Sequence, residues 1–404
     1  GNIAFAYEDY GYPYCLAVTI FDTGISCPRD YSEQEITRIE KTEDNLPATN
    51  EDSKPNIIFV QLESFFDPTL VEYLNISEDP IPNFRKLMKE YTSGYYKVPS
   101  VGAGTANTEF EYLTGASMAF LPYGSIPYQQ YVKKETPSMA SYLSSLGYYT
   151  IAMHPYRAAG WDRNLVYPRL GFDEMHFQEF FTDSPLVRKY VSDEGNYEKI
   201  IKLYEEKDED TPLFLFNVTM QNHSSYSDWA DYDNFSPDIA VEGSDSKLLP
   251  AYLSLIRLSD SAIQNLISYF EAQEEPTIIV FFGDHQPADS VVRPVWKLNG
   301  KDDTDLTDEE EALRYKVPFF IWANFNIETE KDLEISANYL AAKTLDAAGL
   351  PKSAYDNFLS QLRTEVPVIS ANHVTLSDGT FTTASKQKDL LYDYQTLQYY
   401  LLFD

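Results

Sequence analysis

Continuous apolar runs recur along this chain at wide intervals, with amphipathic stretches between them. The clearest run is Thr277-Ile-Ile-Val-Phe-Phe-Gly283, preceded by Pro276. Every residue from Thr277 to Phe282 is β-branched or apolar, which predicts a strand buried on both faces, as in a parallel sheet. Asn56–Leu62 and Pro212–Thr219 read the same way, and Tyr95–Val98, Tyr148–Met153 and Val317–Ala323 read as further strands. Between them the helical period predicts helices at Pro82–Glu90, Thr105–Leu113, Pro137–Leu146, Tyr197–Glu206, Leu248–Phe270 and Ser336–Ala348. Ser32–Lys41, Leu186–Tyr190 and the tail stretch Lys386–Leu402 also read as helical, and residues 299–313 as an acidic, mobile loop.

Strands alternating with helices predict the α/β class: a mainly parallel central sheet flanked by helices, with a smaller α+β portion at the C-terminus. The expected organisation is a juxtamembrane or linker segment over 1–54, a main domain over 55–350, and an extension over 351–404 packed on it.

Composition then narrows the chemistry. The 404 residues are 43% hydrophobic, enough for a large core. The net charge of −32, from 63 acids and 31 bases, repels nucleic acid backbones and excludes them as expected partners. A phosphate-bearing substrate then needs a metal or a local basic cluster to hold it. Two cysteines, Cys15 and Cys27, form no disulfide framework and no zinc site; pairing between them and two free thiols both remain open. No apolar run approaches the ~20 residues of a membrane helix, and no signal peptide is visible. The chain opens on Gly1 and reads as an excised piece, so any membrane anchor would lie outside it.

The residues that carry chemistry gather where predicted strands end. Asp284 and His285 follow the strand that stops at Gly283, the position at which open α/β sheets hold ligands. Glu63 follows Leu62 in the same way; alone it would read equally as a helix cap or a surface acid. Gly102 and Gly104 lead into Thr105 at a helix start, where free N–H groups favour anions. Its hydroxyl is a nucleophile if a metal lowers its pKa, and a simple cap otherwise. His154 ends the strand Tyr148–Met153, and Trp161 and Arg163 follow: a guanidinium fork, an aromatic plate and an imidazole suit a phosphate next to a small polyol. A Trp packed by an Arg stem is the alternative. His223 lies beyond the strand Pro212–Thr219. Glu63, Thr105, Asp284 and His285 together offer three oxygens and one nitrogen, a set for Mn²⁺, Mg²⁺ or Zn²⁺.

In their order, Leu-Glu63-Ser, Gly-Thr105-Ala-Asn-Thr-Glu-Phe, His154 with Trp161 and Arg163, Asn-His223 and Gly-Asp284-His285 resemble lipoteichoic acid synthase ectodomains of the alkaline phosphatase and sulfatase superfamily. The resemblance runs from about Asn56 to Gly349 and makes 55–350 a sulfatase-like catalytic domain. It implies that Glu63, Thr105, Asp284 and His285 hold one Mn²⁺, that Thr105 is the nucleophile, and that His154, Trp161, Arg163 and His223 line a glycerol phosphate pocket. It further implies a phosphoglycerol transferase that splits phosphatidylglycerol through a phospho-threonine and passes the phosphoglycerol to a glycolipid or growing polymer. The implied setting is the outer face of the cell membrane of a Gram-positive bacterium, in lipoteichoic acid or related envelope synthesis, with an N-terminal anchor outside this chain. One departure stands out: an acid often sits two residues after the first pocket histidine, and here it is Tyr156. His223 is the general acid/base by its chemistry, or a head-group hydrogen-bonder.

Cys27-Pro-Arg-Asp-Tyr lacks the sulfatase Cys/Ser-x-Pro-x-Arg spacing and lies outside the core, which disfavours sulfatase activity. With five histidines, and His176 and His373 away from every motif, a second metal site is not expected. A phosphoethanolamine transferase or phosphodiesterase of the same superfamily is the runner-up, although Glu63 is followed by Ser-Phe-Phe where a Glu-Thr-Ala-Arg-like motif would stand. A non-catalytic head-group-binding module would keep His154, Trp161 and Arg163 without needing Thr105.

Overall fold

The computed structural model describes residues 25–41, 54–70, 74–298, 300–301 and 305–404. Its centre is an eight-stranded sheet in the order β10-β2-β9-β8-β1-β7-β3-β4. These strands are β1 (Asn56–Leu62), β2 (Thr92–Lys97), β3 (Tyr149–Met153), β4 (Glu174–His176), β7 (Leu213–Val218), β8 (Thr277–Gly283), β9 (Lys316–Ala323) and β10 (Leu333–Ser336). β8, β1, β7, β3 and β4 are parallel in sequence of pairing, and β9 runs against both β8 and β2.

The apolar runs dictate this arrangement. β1, β7 and β8 are buried at every residue, so neither face can meet water and helices must cover both. Phe59 of β1 meets Phe214 and Phe282 edge-on at 5.8 and 5.9 Å and stacks on Tyr112 of the helix Thr105–Thr114 at 5.4 Å. The helix Leu248–Glu271 lays Leu255, Ile256, Ile263 and Ile267 into the same core. Parallel pairing also brings the carboxyl ends of β1, β3, β7 and β8 to one edge of the sheet, and every candidate strand-end residue lies there.

The C-terminal portion holds the helix Ala354–Glu365, a small antiparallel sheet of β11 (Val368–Ile369), β12 (Val374–Thr375) and β13 (Phe381–Thr382), and the helix Tyr392–Phe403. It is tied to the main body by Tyr355 and Tyr394, whose hydroxyls both donate to the Gly115 carbonyl. The helix Glu33–Lys41 packs Ile36 and Ile39 on Leu397 of this portion. The rest of the expected linker, 1–24 and 42–53, lies outside the described residues, as does Cys15; Cys27 is free and exposed.

Three local readings need correction. Leu186–Tyr190 is not helical: β5 (Leu186–Val187) and β6 (Tyr190–Val191) form a tight hairpin around Arg188, whose φ of 55° a helix cannot contain. In the expected acidic loop, Asp308–Leu313 is a helix, because Thr307 and Glu310 form a reciprocal capping box; residues 299 and 302–304 lie outside the described residues. The terminal helix starts at Tyr392, with only a short 3₁₀ turn at Ala384–Lys386. The edge strands β4 and β10 were not anticipated, since each is short and half-exposed and lacks an apolar run.

Candidate active site

The end of β8 is shaped by what Gly283 lacks. A Cβ there would overlap the Phe65 carbonyl oxygen, so the chain after β1 crosses directly over the end of β8. That crossing puts Glu63 beside Asp284 and His285. One ligand atom from each lies within 4.8 Å of the others, and this is the cluster of metal-ligand type found among the described residues. His285 Nε2 stands 3.3 Å from Asp284 Oδ2 and 3.9 Å from Glu63 Oε1. All three side chains are buried.

Backbone groups fix the two acids. Asp284 Oδ1 accepts from the amides of Ser64 and His285, each at 2.7 Å. Its Oδ2 is buried and has no hydrogen-bond partner. The Glu63 amide donates to Thr219 Oγ1 at 3.0 Å, tying the end of β1 to the end of β7. Ser64 itself sits at φ 51°, held there by Tyr252 donating to its carbonyl at 2.6 Å.

Thr105 enters from the other side. Gly104 caps the helix Thr105–Thr114 at φ 91°, a conformation open to glycine, and a Cβ would run into Ser100 Oγ. The Thr105 side chain faces Glu63 and Asp284 and works against the rise that burial imposes on both carboxyls. One turn on, Thr108 Oγ1 donates to the Asp284 carbonyl at 2.8 Å and locks this helix to the end of β8.

The electrostatics follow from burial. Loss of water, then the facing Asp284 charge, pushes the Glu63 carboxyl up to about 8, against the pull of His285, Arg163 and Thr105. Burial likewise raises Asp284. Two dry carboxylates facing each other are unfavourable alone and favourable around a cation. His285 Nδ1 lies 2.9 Å from the Gln286 carbonyl, an acceptor only, so the proton is assigned to Nδ1 and the Nε2 lone pair faces the acids. The unpartnered Asp284 Oδ2, this lone pair and the paired acids fit a divalent cation on oxygen and nitrogen ligands.

His154 and His223 show the same device. Their Nδ1 atoms lie 3.1 Å from the Val218 carbonyl and 2.8 Å from the Ser224 carbonyl, which assigns the proton to Nδ1 and leaves Nε2 as the open nitrogen. Burial, with the Arg163 charge second, holds His154 well below the usual histidine range, and burial lowers His223. Both are neutral at pH 7.

Arg163 is not a free fork. Its Nε lies 3.1 and 3.2 Å from the two Glu109 oxygens, and its Nη2 also bonds Glu109. Nη1 makes no hydrogen bond among the described residues and is the one edge left for a ligand. Trp161 is half-buried and packs against the core; it and Asp162 hold left-handed φ of 56° and 59°, strain of about 1–3 kcal/mol per residue that clusters at functional sites.

The sequence reading missed two residues. Glu109 also accepts from Tyr167 at 2.9 Å and is wholly buried. A partial signal was present: an acid one turn after Thr105 on a helix that is mostly buried needs a cationic partner or a proton, and Glu109 has the first while Glu111 on the same helix has the second. Arg188 is buried and donates to the carbonyls of Ser225, Gln221 and His223 at 2.6, 2.9 and 2.8 Å. No sequence signal marks it, because backbone carbonyls carry no side-chain identity.

Comparison with known proteins places this geometry in context. A family model described as Sulfatase matches residues 55–350. The "putative cyclic beta-1,2-glucan modification protein" of Rhizobium meliloti is 31% identical over 98% of this chain and 62% of its own length, so the chain spans under two thirds of that relative. The Streptococcus pyogenes phosphoglycerol transferase GacH, solved with sn-glycerol-1-phosphate, superposes with a TM-score of 0.74 at 24% identity, covering 93% of this chain and 95% of its own. The lipoteichoic acid synthase LtaP of Listeria monocytogenes gives 0.64 at 20% identity, over 91% and 97%. At these identities the two structures establish the fold. A relative from Rhizobium meliloti leaves the expected Gram-positive source without support.

Proposed function

From a chain that belongs to the sulfatase family, we propose a metal-dependent phosphoglycerol transferase that uses Thr105 as nucleophile. Glu63, Thr105, Asp284 and His285 hold one divalent cation, Mn²⁺ by the family resemblance. The cation would supply charge neutralisation for the phosphate and a lowered pKa for the Thr105 hydroxyl. The observation that carries the reading is the dry pair of carboxyls, with an unpartnered Asp284 oxygen, facing a helix-terminal threonine hydroxyl.

In the first half-reaction Thr105 Oγ attacks the phosphorus of phosphatidylglycerol. The bond from phosphorus to the diacylglycerol oxygen breaks, and that oxygen takes up a proton. In the second, an acceptor hydroxyl attacks the phospho-threonine and Thr105 leaves with a proton. His223, neutral with Nε2 open, relays the proton in both directions. Arg163 Nη1 and the N–H groups at the start of the helix Thr105–Thr114 bind phosphate oxygens, and His154 and Trp161 border the glycerol. The acceptor is a carbohydrate or polymer of the cell envelope, in keeping with the glucan named for the Rhizobium relative and with GacH as a phosphoglycerol transferase.

Among the described residues no helix is long and apolar enough to cross a membrane. A phosphoethanolamine donor is the second reading, because Tyr156, where an acid often sits, departs from the phosphoglycerol transferase pattern at the head-group pocket. Intact mass spectrometry after incubation with phosphatidylglycerol and Mn²⁺ tests the proposal. A phosphoglycerol adduct is expected on the native chain and none on Thr105→Ala. An adduct that persists in the variant removes Thr105 from its role, and a phosphoethanolamine adduct formed from phosphatidylethanolamine instead selects the second reading.

A further inference from the structure

Two tyrosines from distant parts of the chain lean on the histidines of the site. Tyr156 follows His154 by two residues, with ring centroids 6.2 Å apart. Tyr190, on the hairpin, stands 5.4 Å from the His223 ring, its hydroxyl 3.1 Å from Nδ1 and 2.9 Å from the Ser224 carbonyl. Burial raises the Tyr190 hydroxyl, and Tyr156 is near enough to add to that. Both rings are half-exposed, and neither belongs to the hydrophobic core or to the partly buried shell packed on it. Packing therefore does not account for them.

The hairpin is built to hold Tyr190 in place. Arg188, at a left-handed φ, anchors it to the carbonyls around His223, and Asn234 accepts from the Arg188 amide at 3.0 Å and donates to the Leu186 and Arg188 carbonyls. Donors flank the aromatic walls. The Arg157 guanidinium lies 5.9 Å from the Tyr156 centroid and Lys189 Nζ lies 5.3 Å from that of Tyr190, both on exposed side chains. Asp228 bonds both Lys189, at 2.7 Å, and Arg188, at 3.3 Å, so one carboxylate offsets part of the basic charge of this rim. A sugar ring is well served: its C–H faces lie on aromatic rings and its hydroxyls take donors from the edges.

The geometry points to Tyr156 and Tyr190 as the walls of an acceptor subsite for a neutral carbohydrate ring at the mouth of the candidate active site. The inference rests on the transferase reading above and extends it to the second substrate. A sugar hydroxyl held between these rings would attack the phospho-threonine phosphorus. The bond from phosphorus to Thr105 Oγ breaks, His223 Nε2 takes the sugar proton, and a proton passes to Thr105.

Calorimetric titration of the Mn²⁺-loaded protein with a β-1,2-linked glucan tests this. Wild type should bind, Tyr156→Ala and Tyr190→Ala should each weaken binding tenfold or more, and Tyr156→Phe should restore it. Tyr149→Ala, at the exposed start of β3, should bind as wild type does. Thermal melts of each variant separate lost binding from lost folding. Absence of binding to wild type, unchanged affinity in both alanine variants, or preference for a glycerol phosphate oligomer overturns the subsite. A protein that binds glucan through these tyrosines yet forms no Thr105 adduct would instead sink the transferase reading and leave the subsite standing.

Discussion

Glu109 lies one helical turn beyond Thr105 and takes up two of the three nitrogens of the Arg163 guanidinium, in a pair buried on both sides. Burial works against the Arg163 charge, and Glu109 more than offsets it, so the guanidinium stays charged in a dry setting. Glu109 thus ties the guanidinium of Arg163, at the start of the helix Arg163–Arg169, to the helix that Thr105 opens.

Breaking this pair leaves an uncompensated buried charge. Glu109→Ala should cost about 3–5 kcal/mol of stability, read from denaturant midpoints. Glu109→Gln should cost less, while adduct formation from phosphatidylglycerol falls by about tenfold or more through misplacement of Nη1. Full activity in Glu109→Gln would show that Arg163 needs no such orientation.

The two facing acids make metal and stability interdependent. Chelation should lower the melting temperature of wild type, because a bound cation adds about 2.7 kcal/mol at a hundredfold excess over Kd. Asp284→Asn should lose its bound metal by elemental analysis and become indifferent to chelator. In chelator at pH 8 it should melt no lower than wild type, since it removes one of two charges that repel. A large destabilisation under those conditions would contradict the burial and the facing Asp284 charge that raise Glu63.

Glu111 gives a pH signature away from the site. It is wholly buried, accepts from the Met118 amide at 2.8 Å, and leaves Oε2 without a partner. Burial pushes it up to about 8. The folded state therefore holds a proton that the unfolded chain has already lost above about pH 4.3. With fewer protons bound when unfolded, stability falls as pH rises across that window and levels off above 8. Glu111→Gln should match wild type near pH 4 and exceed it by a few kcal/mol at pH 8, at about 1.4 kcal/mol per pKa unit. Parallel pH profiles for the two proteins would refute this.

Arg188 is the splint of the His223 loop. Arg188→Met would strand the buried Gln221 carbonyl, worth about 1–3 kcal/mol when unsatisfied, and would release the part-buried carbonyls of Ser225 and His223 and the Asp228 ion pair. The expected result is a melting temperature several degrees lower with metal content unchanged. The pH profile of transfer should also shift, because His223 is no longer held with Nδ1 on the Ser224 carbonyl. An unaltered profile would make Arg188 purely structural.

The strand cores were legible from the start, because a strand buried on both faces must be apolar throughout, as Asn56–Leu62 and Thr277–Gly283 nearly are. So was the gathering of Glu63, Asp284 and His285, since parallel strands bring their carboxyl ends to one edge. The hairpin at Arg188 was not legible: five residues carry too little periodicity, and left-handed φ at a non-glycine is a tertiary demand.

By itself, the sequence determined which side chains arrive at the sheet edge and what chemistry they offer, for those are properties of residue type and local pattern. Tertiary structure alone decided how they are used. It turned Arg163 from a fork into a single free edge by pairing it with Glu109, set each histidine tautomer through a backbone carbonyl, and stood Tyr190 against His223. Those outcomes depend on contacts between residues far apart in the chain, and such contacts exist only once the core has closed.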